Sequence, residues 1–186
     1  MPLARRHRAD MMFQVPRLEG TWATDTTDVR CNSTHGERCC QVHANKMFFA
    51  GACPAPKKSD CQETLDNFVN DCGAMDVLIS DGSAKQCGPH TEFQRKTQKH
   101  QIQHKRSEKD RPNQNPAEGV IREVREKWHR VVFKTNCPKR LWTHGVPCVC
   151  ATMRMTASHA GRSQGRTPIE AVLGETPDTS ECLDFG

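Results

Sequence analysis

The sequence lacks the features of a membrane-spanning or secreted chain. No apolar run reaches the roughly 18 residues that a membrane span needs. The basic start, residues 1–10, is followed by no apolar segment of the secretory type. We therefore expect an intracellular protein with no membrane segment. Tyrosine is absent from all 186 residues, and aromatic residues make up only 5% of them. The length suffices for one domain with a hydrophobic core.

The cysteines lack the spacing of a zinc site. None of the 11 belongs to a CxxC pair, and only Cys39 with Cys40 and Cys148 with Cys150 lie close in sequence. Structural zinc sites usually draw ligands from pairs separated by about two to four residues. Disulfide frameworks are typical of short secreted chains. We expect scattered free thiols, several of them buried. A Cys-rich metal-binding protein remains an alternative of a different class.

Charge is distributed unevenly along the chain. The formal net charge is +5, but residues 85–140 contain 15 Lys and Arg against 6 Asp and Glu and carry +9, which leaves −4 on the remainder. A basic segment in a near-neutral chain indicates a polyanionic partner such as nucleic acid. A solvated basic face would explain the same charge, and on charge alone that explanation is favoured.

Hydrophobic periodicity predicts an α/β fold. Three strand-like stretches at 22–29, 39–44 and 47–53 predict an antiparallel meander. The continuous apolar run within 76–80 predicts a strand buried on both faces, and residues 102–105 predict a further short strand. Strands that alternate with helices indicate a sheet with helix crossovers.

Helical spacing marks the segments between and after these strands. Ser59 with Gln62 has the spacing of a capping box, and Gly73 is placed to end the helix that follows. Residues 107–116 are polar and predict a loop. The other predicted helices are at 90–100, where a loop is the alternative, and at 116–133, 137–156 and 168–173.

The segment 116–133 predicts the strongest helix of the chain. Asn115 is a good N-cap and Pro116 a good first residue, which puts Glu118 in the first turn. At 100° per residue, one arc of this helix is apolar and predicts its core face. That arc contains Val120, Ile121, Val124, Trp128 and Val131.

A different stripe of the same helix combines one acid with several basic residues. Glu118, Arg122, Arg125 and His129 lie within about 60° of one another. The acid could hold a metal ion while the cations follow a phosphate backbone. Ordinary capping by Glu118 and an i,i+4 pair with Arg122 explain the same residues, and for this helix alone that explanation is favoured.

Three acids occupy positions from which their carboxylates can converge. Asp25 lies inside the first strand, Asp81 ends the buried strand, and Glu118 begins the long helix. Two divalent ions about 4 Å apart need such a cluster of hard oxygen ligands. An acid inside a strand is otherwise unfavourable. Asp28 is the alternative to Asp25, and the two should face opposite sides of the strand.

The segments around these acids resemble the integrase cores of long-terminal-repeat retrotransposons, most like the copia type. They read TWATDTTD around Asp25, LISDGSAKQ around Asp81 and RPNQNPAEGVIREVREKW around Glu118. The later CPKRLWTHG and GRTPIEAVLGETPDTSECLDFG resemble the family's continuation, so the likeness covers roughly residues 12–186. The 36 residues between Asp81 and Glu118 fit the family's spacing.

The resemblance implies an RNase H-like fold, with a mixed five-stranded sheet and helices on both faces. It implies trimming of the element's DNA ends and strand transfer into target DNA, with Mg²⁺ or Mn²⁺ as cofactor. Asp25, Asp81 and Glu118 would be the catalytic metal ligands. The DNA backbone would be contacted by Asn113, Asn115, Arg122, Arg125 and Lys127.

The resemblance also sets the expected organisation and partners. Residues 1–20 would be a leader or a truncated remnant, 21–156 the catalytic core and 157–186 a C-terminal extension. The family's N-terminal zinc module has no counterpart in the sequence, so we expect a fragment or a reduced descendant of an element. The partners would be element ends and target DNA, bound by a homo-oligomer in the nucleus.

The missing tyrosines bear on whether the site is active. Cys53, Cys72, His144 and Cys182 stand where the family resemblance favours an aromatic residue, and one base change converts a Tyr codon to Cys or His. Each such change at a packed position would leave a cavity that costs roughly a few kcal/mol. Two alternatives therefore stay open: a catalytically dead nucleic-acid-binding remnant, and a general RNase H-like nuclease of RNA–DNA hybrids.

Overall fold

The computed structural model describes residues 15–80, 88, 91–107, 116–157 and 165–178. Its strands are β1 (Arg17–Asp28), β2 (Cys39–Asn45), β3 (Ala50–Ala55), β4 (Ala74–Ser80) and β5 (Gln103–Arg106). Its α-helices are α1 (Cys61–Cys72), α2 (Glu92–Lys99), α3 (Pro116–Thr135), α4 (Trp142–Met155) and α5 (Pro168–Leu173). Short 3-10 turns, Lys58–Asp60 and Lys139–Leu141, precede α1 and α4.

The five strands form one mixed sheet in the order β3-β2-β1-β4-β5. β1, β2 and β3 are antiparallel neighbours, which confirms the predicted meander. β4 pairs in parallel with β1, and β5 pairs in parallel with β4. Parallel neighbours need crossover connections, and α1 provides the one from β3 to β4. The mixed five-stranded sheet is therefore as predicted.

Helices cover both faces of this sheet. On one face α3 and α4 pack over β1, β2 and β3, in a cluster that includes Ala23, Val42, Val124 and Trp142. On the other face α1 and α2 pack over the strands, in a second cluster built around Trp22, Leu65, Phe68, Met75, Leu78 and Phe93. Successive strand residues alternate between these two clusters because strand side chains point to opposite faces in turn.

Two details of the helix predictions are wrong. α1 begins at Cys61 rather than Ser59, because a 3-10 turn precedes it; Ser59 donates to Asp60 Oδ1 at 2.9 Å and caps nothing. Val131 of α3 is 39% exposed rather than in the core, because Val132 is the residue there that packs against the cluster. The remaining predicted core residues of α3 are buried.

The other predicted elements are confirmed with shifted ends. α1 stops before Gly73, whose φ is 122°, and β4 starts at the next residue. A side chain at Gly73 would also meet the carbonyl oxygen of Pro16 at 2.6 Å, so glycine is required there. The predicted loop at 107–116 lies almost entirely outside the described residues. Among the helices that are described, none is long and apolar enough to cross a membrane.

Candidate active site beside the ends of β1 and β4

Asp25 lies on β1 with its side chain towards the layer formed by α3 and α4. Its neighbours two residues away in β1 are Ala23, which belongs to that layer's core, and Thr27, whose hydroxyl accepts a hydrogen bond from Arg125 of α3. Side chains two apart in a strand share a face, so Asp25 points the same way. The carboxylate is partly exposed, and its Oδ1 accepts a hydrogen bond from the Thr26 amide at 2.7 Å.

Asp28, the alternative to Asp25, points to the opposite face. Its Oδ2 forms an ion pair of 2.7 Å with Lys58, in the 3-10 turn before α1, and its Oδ1 accepts from Cys39 Sγ at 3.5 Å. The hydrogen bond from Lys58 lowers the pKa of Asp28. The two aspartates therefore face opposite sides of β1, as the three-residue spacing predicted.

β4 ends directly beside Asp25. Ser80, the last residue of β4, pairs in register with Thr24 of β1. The Ser80 hydroxyl is within 2.7 Å of His104 Nε2 on β5, and burial lowers the pKa of that imidazole. Asp81 follows Ser80 in the sequence and itself lies outside the described residues. The polypeptide that leads to Asp81 thus leaves the sheet next to the strand position that precedes Asp25.

A buried polar network holds the backbone around Asp25 from the other face of the sheet. Gln41 of β2, only 1% exposed, hydrogen-bonds through its side-chain amide to the hydroxyls of Thr24 and Thr26, on either side of Asp25. Thr24 Oγ1 also donates to the carbonyl of Val42 at 3.0 Å. Buried networks of this kind rigidify the elements they join. Gln41 could not be identified from the sequence, because its strand partners are known only from the register.

Glu118 lies in the first turn of α3 and is exposed. α3 is anchored to the sheet by buried apolar residues such as Val120 and Val124 and by the Arg125–Thr27 hydrogen bond. Asp25 thus lies on β1, and Glu118 lies on α3, the helix that packs over the same face of the sheet. Asn113 and Asn115, two of the predicted DNA contacts, lie outside the described residues.

The three other predicted DNA contacts differ in whether their side chains already pair with another group of the protein. Arg122 is exposed and forms no ion pair within the described part of the chain. Lys127 pairs with Glu123 at 3.4 Å. Arg125 donates to Thr27 while much of its side chain stays exposed. A groove of about 410 Å³ runs along this surface, lined by Phe48, Gly119, Arg122, Glu123, Glu126, Lys127 and Arg130.

The oxygen donors described at the candidate site are of the kind that hard divalent cations prefer. Carboxylate oxygens are the ligands that Mg²⁺ and Mn²⁺ prefer, and Asp25 presents one partly exposed carboxylate at the site. Among the residues that the structure describes, no group of three His, Cys, Asp or Glu side chains is arranged to hold a metal ion. The predicted set of three acids cannot be judged in this way, because Asp81 is outside the described residues.

The cysteines of the described ranges belong to no group of three side chains that is arranged to hold a metal ion. The eight that are described there are free thiols. Burial raises the pKa of Cys53 and of Cys150 to about 12 and raises that of Cys40 well above its ordinary value. These three thiols are therefore protonated near neutral pH, so a metal ion would have to displace their protons to bind them. The expectation of scattered free thiols, several of them buried, agrees with the described cysteines.

The fold is that of retroviral integrase catalytic cores. The catalytic core domain of BIV integrase matches at a TM-score of 0.62 and 14% identity, over 89% of this chain and 98% of that one. The HTLV-2 integrase catalytic core domain in complex with magnesium matches at 0.60 and 12%, over 82% and 95%. A chain of the simian T-cell lymphotropic virus intasome, in complex with PP2A regulatory subunit B56 gamma, matches at 0.59 and 13%, over 85% and 56%.

These likenesses define the fold and nothing finer. No protein-family model matches the sequence, and no curated protein does. The structural neighbours are retroviral, so the RNase H-like integrase fold agrees with the expectation, while the copia-type assignment stays a prediction.

Proposed function

We propose that the chain is an integrase-type catalytic domain that processes the DNA ends of a retroelement, most similar to the copia type, and joins them to target DNA. One observation carries the proposal: Asp25 points from β1 towards the layer that contains α3, beside the end of β4 that leads to Asp81. The integrase fold of the neighbouring structures supports it. Fold likeness alone does not specify chemistry, so the acids carry the argument.

Asp25, Asp81 and Glu118 are the residues that would hold two divalent ions, Mg²⁺ or Mn²⁺. The matched HTLV-2 core was solved in complex with magnesium, and oxygen ligands suit the same ions here. Bound ions would supply a Lewis acid for the attacking oxygen and for the leaving oxygen of a phosphodiester.

The protein's own contribution is to position its groups. The Gln41 network fixes the backbone on both sides of Asp25, and the Ser80–His104 contact fixes the end of β4. Arg122 and the cations near it on α3 supply positive charge for a phosphate backbone, which positions DNA without reading its sequence. We propose that Asn113 and Asn115 contribute there too, that the chain acts as a homo-oligomer on DNA, and that it does so in the nucleus.

A DNA-binding domain without catalysis is the second candidate. Cys53 and Cys72, at positions where the family resemblance favours an aromatic residue, are both buried. Smaller side chains at packed positions reduce stability, and a destabilised copy could retain its basic helix while losing its chemistry. Catalysis, rather than DNA binding, separates the two candidates.

Calorimetric titration of Mn²⁺ into the purified chain tests the proposed site, together with an assay that joins oligonucleotide ends to a plasmid. Asp25→Asn and Asp81→Asn remove one carboxylate each. Asp28→Asn is the matched control, since it makes the same change three residues from Asp25 on the opposite face of β1. We expect Mn²⁺ binding and end joining to be lost in the first two variants and retained in the control.

The results of these two assays distinguish a catalytic domain from a catalytically dead remnant. Saturable Mn²⁺ binding without end joining would favour the catalytically dead remnant. A folded parent protein that binds no Mn²⁺ would overturn the proposed active site, and so would equal loss in Asp28→Asn.

A further inference from the structure

A pair of histidines faces each other away from the proposed active site. His35 lies in the loop between β1 and β2, and His144 lies in the first turn of α4. Their ring centres are 6.3 Å apart and the rings are nearly perpendicular, at 78°. Both side chains are exposed, and neither ring forms a hydrogen bond within the described part of the chain.

The two elements that carry these histidines are fixed to each other. The indole Nε1 of Trp142, a fully buried residue at the start of α4, donates to the carbonyl of Cys31 in the loop at 2.9 Å. Within the loop, the Ser33 hydroxyl accepts from the amides of His35 and Glu37, each at 3.0 Å. The two histidines are therefore presented by backbones whose relative position is set by packing, so little ordering is needed to bring them together.

A carboxylate adds negative charge beside the pair. One oxygen of Glu37 is bonded to the Ser33 hydroxyl, which is the main reason that the pKa of Glu37 is lowered. The nearby His35 and His144 lower that pKa further. The carboxylate therefore stays ionised near neutral pH and favours a cation between the rings.

We propose that His35 and His144 form a two-imidazole binding site for one divalent transition-metal ion, with water in the remaining coordination positions. Imidazole nitrogens suit Ni²⁺, Cu²⁺ and Zn²⁺ and are poor ligands for Mg²⁺. Two imidazoles that share an ion at a metal–nitrogen distance of about 2.1 Å have ring centres about 4.6 to 5.3 Å apart at coordination angles of about 90° to 109°. The observed separation of 6.3 Å is about 1 Å longer than the upper end of that range, so side-chain rotations that bring the rings about 1 Å closer would complete the site. A bound ion would clamp the loop to the start of α4.

The site is tested by titrating Ni²⁺ into the full chain in excess Mg²⁺, which saturates carboxylate sites. The variants are His35→Asn and His144→Asn, and His129→Asn, an exposed histidine on α3, is the matched control. We expect one equivalent of Ni²⁺ to bind the parent and the control. We expect each of the other two substitutions to weaken Ni²⁺ binding by at least about tenfold. Loss of a residue that only hydrogen-bonds to a metal ligand already weakens metal binding by about that factor.

Two further readouts make the test specific. Ni²⁺ should raise the unfolding temperature of the parent and the control, because a ligand that binds only the folded state stabilises it, and should raise that of both test variants by less. Co²⁺ bound to the parent should show no thiolate charge-transfer absorption, which excludes cysteine ligands. The proposal is wrong if either test variant binds Ni²⁺ as tightly as the parent, or if Co²⁺ shows thiolate ligation. Circular dichroism establishes that each variant is folded.

Discussion

Acidification should destabilise the protein through His43. The ring lies on β2, is fully buried and packs 4.8 Å from the ring of Phe68. Neither of its nitrogens has a hydrogen-bond partner in the described structure. Desolvation lowers its pKa from 6.5 to about 3, because nothing in its surroundings compensates a buried positive charge. His43 is therefore neutral in the folded protein at every pH above about 3.

The sign and the size of this pH effect on the free energy of unfolding follow from the linkage between proton binding and folding. The folded-state pKa lies below the unfolded one, so between pH 6.5 and pH 3 the unfolded chain binds a proton that the folded chain does not. This contribution to stability is fully present above pH 6.5 and is lost as the pH falls towards 3. Each pH unit in this window costs about 1.4 kcal/mol, so pH 5 costs about 2 kcal/mol. That is a large share of a typical stability of roughly 5–15 kcal/mol.

Urea unfolding at pH 7.5, 6 and 5 measures this loss. His104 is half-buried, also has a lowered pKa and contributes a slope of the same sign, so the comparison must be with a variant. His43→Leu removes the titrating ring and breaks no hydrogen bond, and we expect it to lose about 2 kcal/mol less than the parent at pH 5. His129→Leu, on the exposed surface of α3, should behave like the parent. Equal pH slopes for His43→Leu and the parent would refute the assigned burial of a neutral ring.

Two further experiments, with three substitutions between them, probe the packing of α3. Gly145→Ala would put the new Cβ 1.9 Å from Trp128 Cζ3, so the indole must move. We expect the free energy of unfolding, measured with urea, to fall by about 1–2 kcal/mol. An unchanged unfolding midpoint would contradict this close approach. Arg125→Met and Thr27→Val, combined in a double-mutant cycle, should show a coupling of about 1 kcal/mol from their shared hydrogen bond. Purely additive losses would show that the bond contributes nothing.

Local patterns predicted most of the elements. The meander, the buried strand at 76–80 and the helix at 116–133 follow from periods of 2 and 3.6 residues, which depend only on which faces are buried. The errors lie where a neighbour decides the outcome. Val131 has the same helical phase as Val120 but remains exposed, because helical phase does not reveal where along its length a helix has a partner.

At the candidate site, too, the sequence determined some features and the tertiary structure decided others. The sequence by itself determined that Asp25 and Asp28 face opposite sides, because strand side chains alternate. Only the tertiary structure decided that the Asp25 side is the one covered by α3, and that Ser80 ends β4 beside Thr24. Strand order and register depend on contacts between distant residues, and no local pattern encodes them.

The same dependence on distant contacts explains why the sequence predicted one of the two proposed binding sites and not the other. The acids were identified from the sequence because each stands in a recognisable local context. His35 and His144 lie far apart in the chain and have no shared motif; only the packing of Trp142 beneath the loop carbonyl of Cys31 brings them together. The sequence determined which segments are strands and helices and which residues can do chemistry. The tertiary structure decided which of those residues meet, because their meeting depends on packing between segments distant in the chain.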